Sequence, residues 1–169
     1  PSVSGGLAIT DYVVEYSSDG GVSWSTFADG VSTSTSATVT GLSNGVSYVF
    51  RVSAVNAAGT GSVSGNSSSV VPAGVPGAPS GVSGLSGDGV VSVSWSAPAS
   101  GGGLAVTGYV VEYSGDGGAS WSVMPGEAIA STSATVGGLS NGTGYVFRVS
   151  AVNSAGTGSV SVVSGAVSP

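Results

Sequence analysis

Apolar and polar residues alternate with a period of two along much of this chain. The clearest run is Val90–Ser96, "VVSVSWS", which sets Val91, Val93 and Trp95 on one side and Ser92 and Ser94 on the other. Tyr109, Val111 and Tyr113 fall together in "GYVVEYS". Ala134 and Val136 do so in "SATVGGL", with Leu139 following, and Tyr145, Phe147, Val149 and Ala151 in "YVFRVSAVN". Such alternation marks half-buried β-strands, because successive side chains leave a strand on opposite faces. Between the runs lie "GDG", "SGDGGAS", "LSNG" and "NSAGTG". Clusters of Gly, Asn and Asp close tight turns because these residues tolerate positive φ. The expectation is about six or seven short strands at ~8–12-residue spacing, without helix, folded as an antiparallel β-sandwich.

The pattern is written almost twice. Sliding the chain by 97 residues aligns Pro1–Pro72 with Pro98–Pro169 without a gap, and 48 of the 72 pairs are identical. Tyr12 meets Tyr109, Tyr16 meets Tyr113, Trp24 meets Trp121, Leu42 meets Leu139, Tyr48 meets Tyr145 and Phe50 meets Phe147. The segment Ala73–Ala97 occurs once. The chain therefore reads as an incomplete module, 1–72, followed by a complete one, 73–169. The junction at 72–79 holds Pro72, Pro76 and Pro79. Proline fixes φ and favours extended backbone, so a short, semi-rigid linker and an extended rod of modules are expected.

"PGAPSGV", "VSVSWSAP", "VTGYVVEYS", "STSATVGGL" and above all "LSNGTGYVFRVSAVNSAGTG" together resemble a fibronectin type III module. The resemblance covers both copies. It implies an all-β, immunoglobulin-like β-sandwich in which the first copy lacks the family's strands A and B. It also implies a tyrosine corner, the Tyr145 hydroxyl bonding back to the turn that follows Leu139. The "EYSGDGGASW" hairpin is similar to those of bacterial secreted or surface members. The core expected from the alternation and the resemblance is Trp95, Tyr109, Tyr113, Leu139, Tyr145 and Phe147 in the second copy. In the first it is Tyr12, Tyr16, Leu42, Tyr48 and Phe50.

Composition narrows the chemistry. Only 6% of residues are charged, the net charge is −6, and cysteine, histidine and lysine are all absent. Arg51 and Arg148 are the only cations. So few cations cannot neutralise a run of phosphates, which excludes nucleic acid and anionic membranes as partners. No apolar run approaches the ~18 residues that would indicate a spanning helix, so no membrane insertion is expected. Without His, Cys or Lys, no activated Ser, Cys or Lys nucleophile can be assembled. Asp19, Asp88 and Asp116 lie in Gly-rich turns, where Asp serves turn geometry, and no dense Asp-x-Asp spacing suggests Ca²⁺. The expectation is a non-enzyme with no cofactor and no metal.

What remains concerns surfaces. In the family's topology the strands carrying Glu15 and Arg51 are neighbours, so cross-strand pairs Glu15–Arg51 and Glu112–Arg148 are expected on the outer face. Val13, Val49 and Val55 point the same way and make that face a candidate contact surface. Trp24 and Trp121 follow a hairpin turn. Each either stacks on a sugar ring or lies over its own sheet and covers a neighbouring tyrosine. The Arg-Gly-Asp tripeptide is absent, whereas Asn66-Ser-Ser and Asn141-Gly-Thr are formal glycosylation sequons.

The first copy raises a separate question of stability. A buried tryptophan covers ~150–250 Å², worth roughly 4–6 kcal/mol at ~25 cal/mol/Å², against a domain total of ~5–15. A module without strands A and B should be unstable alone and leave the family's strand E, "STSATV" in this copy, as an unpaired edge. The chain is then either a window on a longer array or a module whose strands another chain supplies. The functional expectation is an extracellular or cell-surface array serving as stalk, fibre or spacer. Its partners would be other copies of the module, lateral or end-to-end, with adhesion and filament assembly as further roles. The competing expectation is an accessory glycan-binding module of a secreted polysaccharide-degrading enzyme.

Overall fold

The computed structural model describes Pro1 and residues 4–169. Two compact units divide the chain, Pro1–Pro72 and Ala73–Pro169. Strand is the only regular element among the described residues.

Unit 1 is a single sheet of four strands: β1 (Ile9–Ser17), β2 (Ser25–Phe27), β3 (Val49–Asn56) and β4 (Gly59–Thr60), in the order β2-β1-β3-β4. β1 and β3 run antiparallel with Tyr16 opposite Phe50, Val14 opposite Val52 and Tyr12 opposite Ala54.

Unit 2 is a two-layer sandwich. Its strands are β5 (Ser80–Ser86), β6 (Val90–Ser96), β7 (Gly108–Ser114), β8 (Ser122–Val123), β9 (Ser133–Gly137), β10 (Val146–Asn153) and β11 (Gly156–Val160). One layer has the order β11-β10-β7-β8, the same arrangement as the sheet of unit 1; the other is β5-β6-β9. The apolar face of β6 meets that of β7 and β10. Val91, Val93, Val111, Val136, Phe147 and Val149 are the largest fully buried side chains. Trp95 sits edge-on to Tyr109, ring centroids 5.4 Å apart at 64°. Its indole N–H is buried without a partner among the described residues. Tyr113 and Tyr145 are half-buried at the margin of the same core, their rings 6.3 Å apart.

The strands β5 and β6 are the ones the first copy lacks, and the loss reaches further than an open edge. Residues 36–40 of unit 1 are identical to β9 at four of five positions, yet form no strand. In unit 2, β9 pairs only with β6, Val136 opposite Val91 and Ala134 opposite Val93. Without that ladder nothing holds the segment extended, so the expected unpaired edge strand is irregular chain instead. The expected core of unit 1 changes for the same reason. Tyr48 and Val14 are buried, but Tyr12, Tyr16, Leu42 and Phe50 are only half-buried, because the layer that would cover them is missing.

Candidate functional site

The distinctive side chains gather in two places: on the outer face of the β1–β3 and β7–β10 sheets, and on the inner face of unit 1.

On the outer face, register sets Glu15 directly opposite Arg51 and Glu112 directly opposite Arg148. The arginines grip the carboxylates two-handed. Arg51 Nε donates to Glu15 Oε2 at 2.9 Å and its Nη2 donates to Oε1 at 3.3 Å. In unit 2 the corresponding distances are 2.9 and 3.1 Å. Each guanidinium also lies over an indole, 4.1 Å from the ring centroid: Arg51 over Trp24 and Arg148 over Trp121. The tryptophan therefore covers the arginine, not a tyrosine. A cation on a π-face, tied edgewise to a carboxylate, is a three-member assembly in which each member orients the next.

The turn before each tryptophan explains its pose. In unit 2 the Ser114 hydroxyl donates to Asp116 Oδ1 at 2.6 Å and accepts from the Gly118 N–H at 2.8 Å. The Ser120 hydroxyl and N–H close onto the same carboxylate. These Ser114 and Ser120 hydrogen bonds hold the Asp116 carboxyl well below the usual carboxylate range, and Ser17 and Ser23 do the same for Asp19. Gly118 has φ +97°, in the left-handed region that favours glycine. Glycine thus lets the indole fold back over the turn and donate from Nε1 to the Gly118 carbonyl at 3.1 Å. One face of each indole lies under a guanidinium and its N–H is satisfied, which leaves a sugar only the opposite face.

Val13, Val49 and Val55 are half-buried, not exposed as expected. They share their face with Glu15 and Arg51, whose long side chains cover apolar surface beside them. The exposed valines are elsewhere, Val22 at 86% and Val162 at 88% among them.

Three further contacts are structural. The Ser140 N–H donates to the Tyr145 hydroxyl at 3.2 Å and the Ser43 N–H to that of Tyr48 at 3.1 Å, which makes a tyrosine corner in each unit. Asn153, buried, donates to the carbonyls of Gly74 and Gly101 at 2.8 and 2.7 Å. Its counterpart Asn56 donates to the Ser4 carbonyl at 2.8 Å, its one such acceptor among the described residues. Asn141 donates to Asp88 at 2.8 Å and accepts from the Gly89 N–H at 2.8 Å, so the amide of this sequon is already engaged. The Trp–Arg stacks and the roles of Asn153 and Asn56 had no place among the sequence expectations, and Asn141 figured there only as a sequon. The repeated "SxDGGxSW" and the repeated "AVN" were the available signals.

The inner face of unit 1 is open. A groove of about 910 Å³ runs along it, lined by Tyr12, Val14, Val39, Leu42, Phe50 and Val52 among others. A second hollow of about 620 Å³ continues it past Tyr12 and Val52 to Ala54 and Asn56.

The family model of the fibronectin type III domain matches residues 1–70 and 77–166. The chain belongs to that family: it is all-β and carries two of its domains in tandem. It is 32% identical over 158 residues to the fast-type myosin-binding protein C of Gallus gallus, spanning 92% of this chain and 14% of that protein. It is 36% identical over 144 residues to chitinase A1 of Niallia circulans, 80% of this chain and 19% of that one. Among solved structures, domains A168-A170 from titin superpose with a TM-score of 0.57 at 25% identity, covering 94% of this chain and 54% of theirs. The chain thus spans less than a fifth of the length of these two curated relatives.

Proposed function

We propose that the chain is a segment of a structural array in an extracellular or cell-surface protein, a spacer or stalk without catalysis of its own. One observation carries the reading. Both copies spend their chemically distinctive side chains on holding themselves together: Glu15 and Glu112, Arg51 and Arg148, Trp24 and Trp121, Asp19 and Asp116, Tyr48 and Tyr145. A repeat whose distinctive side chains are engaged internally in both copies reads as a unit of construction, and the prolines at 72–79 suit a linker that resists bending. The consecutive domains A168-A170 of titin, among the similar structures, accord with tandem use. The test is small-angle scattering of chains built from one to four copies of 73–169. A constant increase in maximum dimension per copy is expected; dimensions that grow as those of a collapsing globule would reject the spacer.

A second reading has one observation in its favour, the resemblance to chitinase A1. An accessory glycan-binding module would use the free face of Trp24 or Trp121. Titration with chito-oligosaccharides, read by tryptophan emission, separates the two readings: the spacer predicts no saturable change.

A further inference from the structure

Each unit ties down the proline that ends it. In unit 1 the Gly45 N–H donates to the Pro72 carbonyl at 2.8 Å, and in unit 2 the Gly142 N–H donates to that of Pro169 at 3.0 Å. Gly45 and Gly142 have φ +81° and +82°, the left-handed conformation glycine adopts without strain, and each stands in the turn of its tyrosine corner. Two residues before Pro72 the chain is still paired, Val70 exchanging both backbone bonds with Tyr48 at 2.8 Å. Unit 2 takes hold as promptly. The Gly74 N–H donates to the Gly102 carbonyl at 2.8 Å and the Gly77 N–H to that of Ser100 at 2.9 Å. The Gly74 carbonyl accepts from Asn153 Nδ2 at 2.8 Å. Close backbone packing completes the seat: a Cβ on Gly102 would overlap the Gly74 and Val75 carbonyls, and one on Gly158 the Pro76 carbonyl. Pro76 and Pro79 are buried within unit 2. Ala73 is exposed, and its backbone makes no hydrogen bond among the described residues.

We infer that the joint between the two units is a single residue, Ala73, and that the rest of segment 72–79 belongs to the units it connects. The torsions decide it. The ring fixes φ of Pro72, and the bond to its carbonyl fixes ψ. Gly74 is held at both its N–H and its carbonyl. Peptide bonds are planar, so φ and ψ of Ala73 are the only soft dihedrals left between the two clasps. Of the three prolines expected to stiffen a linker, only Pro72 adjoins the joint; Pro76 and Pro79 stiffen the body of unit 2. Resistance to bending therefore comes from the clasps more than from proline content. A free segment of the same length would behave as a chain with its own persistence, whereas two torsions permit only swing and twist about one point. Asn153 is the positioning residue on the unit 2 side. It is 4% exposed and ties the Gly74 carbonyl to that of Gly101 through one amide. Without that amide Gly74 keeps one bond, and the next firm point is Gly77.

The full 169-residue chain has no cysteine, so spin labels on Ser18→Cys and Ser92→Cys, both exposed positions, meet no competing thiol. Dipolar spectroscopy then reads the distribution of distances between the units. Ala73→Pro fixes one of the two torsions and removes no bonded N–H, so it leaves both units as they are; the distribution should lose roughly a third of its width. Amide exchange should show Gly74 and Gly77 slowed about tenfold or more against open chain, and Ala73 and Val75 unprotected. Asn153→Ala should speed exchange at Gly74 about tenfold and broaden the distribution, while Asn56→Ala, at the counterpart position, should change neither. Continued protection of 133–137 shows that unit 2 stays folded in the Asn153 variant, and Ala73→Pro carries the test if it does not. An unchanged width in Ala73→Pro, or Gly74 and Gly77 exchanging as open chain, overturns the single-residue joint. The spacer reading rests on length gained per copy, read by scattering, so the two can fail separately.

Discussion

Arg148 is held by two different forces, and its substitution separates them. Its side chain is 27% exposed and that of Glu112 22%, so solvent screens the pair only in part. An ion pair of this exposure contributes about 0–1 kcal/mol and a cation over an indole about 0.5–1. Arg148→Ala should therefore cost roughly 0.5–2 kcal/mol, a fall of about 4–8 °C in melting midpoint per kcal/mol for a domain of this size. Arg148→Lys should fall between, since an ammonium keeps the charge but loses the two-handed grip. Thermal melts of the three chains, with the near-ultraviolet dichroism of Trp121, check both statements. The aspartate turns predict acid sensitivity. Folding lowers the carboxyl pKa of Asp116 and Asp19, so the unfolded chain takes up protons more readily than the native one. Their stabilisation is complete above the ordinary carboxylate value of about 4 and is lost progressively as pH falls below it. Asp116→Asn should lower the midpoint at pH 7 and flatten its fall in the acid range; an unchanged acid slope would count against the turn as its source.

At the scale of the strand, one sequence has two fates. Residues 36–40 and 133–137 read "SATVT" and "SATVG", but only the second is a strand. Strand structure here belongs to the pair, because an extended segment without a ladder partner leaves its backbone groups to water. Amide exchange measured on the whole chain should show 133–137 protected and 36–40 exchanging close to the rate of open chain. Removing the covering side chain should partly erase the difference. Trp95→Ala is expected to cost about 3–5 kcal/mol, as large aromatic truncations in cores do. Its buried indole N–H, unpaired among the described residues, places the cost toward the lower end, since that donor disappears with the ring.

For the molecule as a whole, the two units differ in kind. Unit 2 has two layers and a continuous core; unit 1 has one layer and a groove. Calorimetry of the 169-residue chain should show two transitions, unit 1 melting well below unit 2. The chain with Ala73–Ala97 fused ahead of Pro1 should bring the lower transition up toward the higher one. A single cooperative transition in the unfused chain would mean that the single layer is stabilised by something other than its own core.

Much of this was legible in the residues. Alternation located the inward faces of β6, β7, β9 and β10, because a period of two leaves little freedom about which side chains go inside. The shift of 97 placed each residue of the first copy beside its counterpart, and Glu15 beside Arg51 followed from neighbouring strands. The sequence by itself therefore determined the fold class and the repeat, and the cross-strand pairs once the resemblance to the family supplied which strands are neighbours. Tertiary structure alone decided the rest. It put the indoles over the guanidiniums, since a turn's φ values aim Trp24 and Trp121 and no periodicity encodes them. It half-buried Val13, Val49 and Val55 beneath longer neighbours. It also withheld a strand from residues 36–40, because a ladder needs two chains of hydrogen-bonding groups and a sequence segment supplies only one.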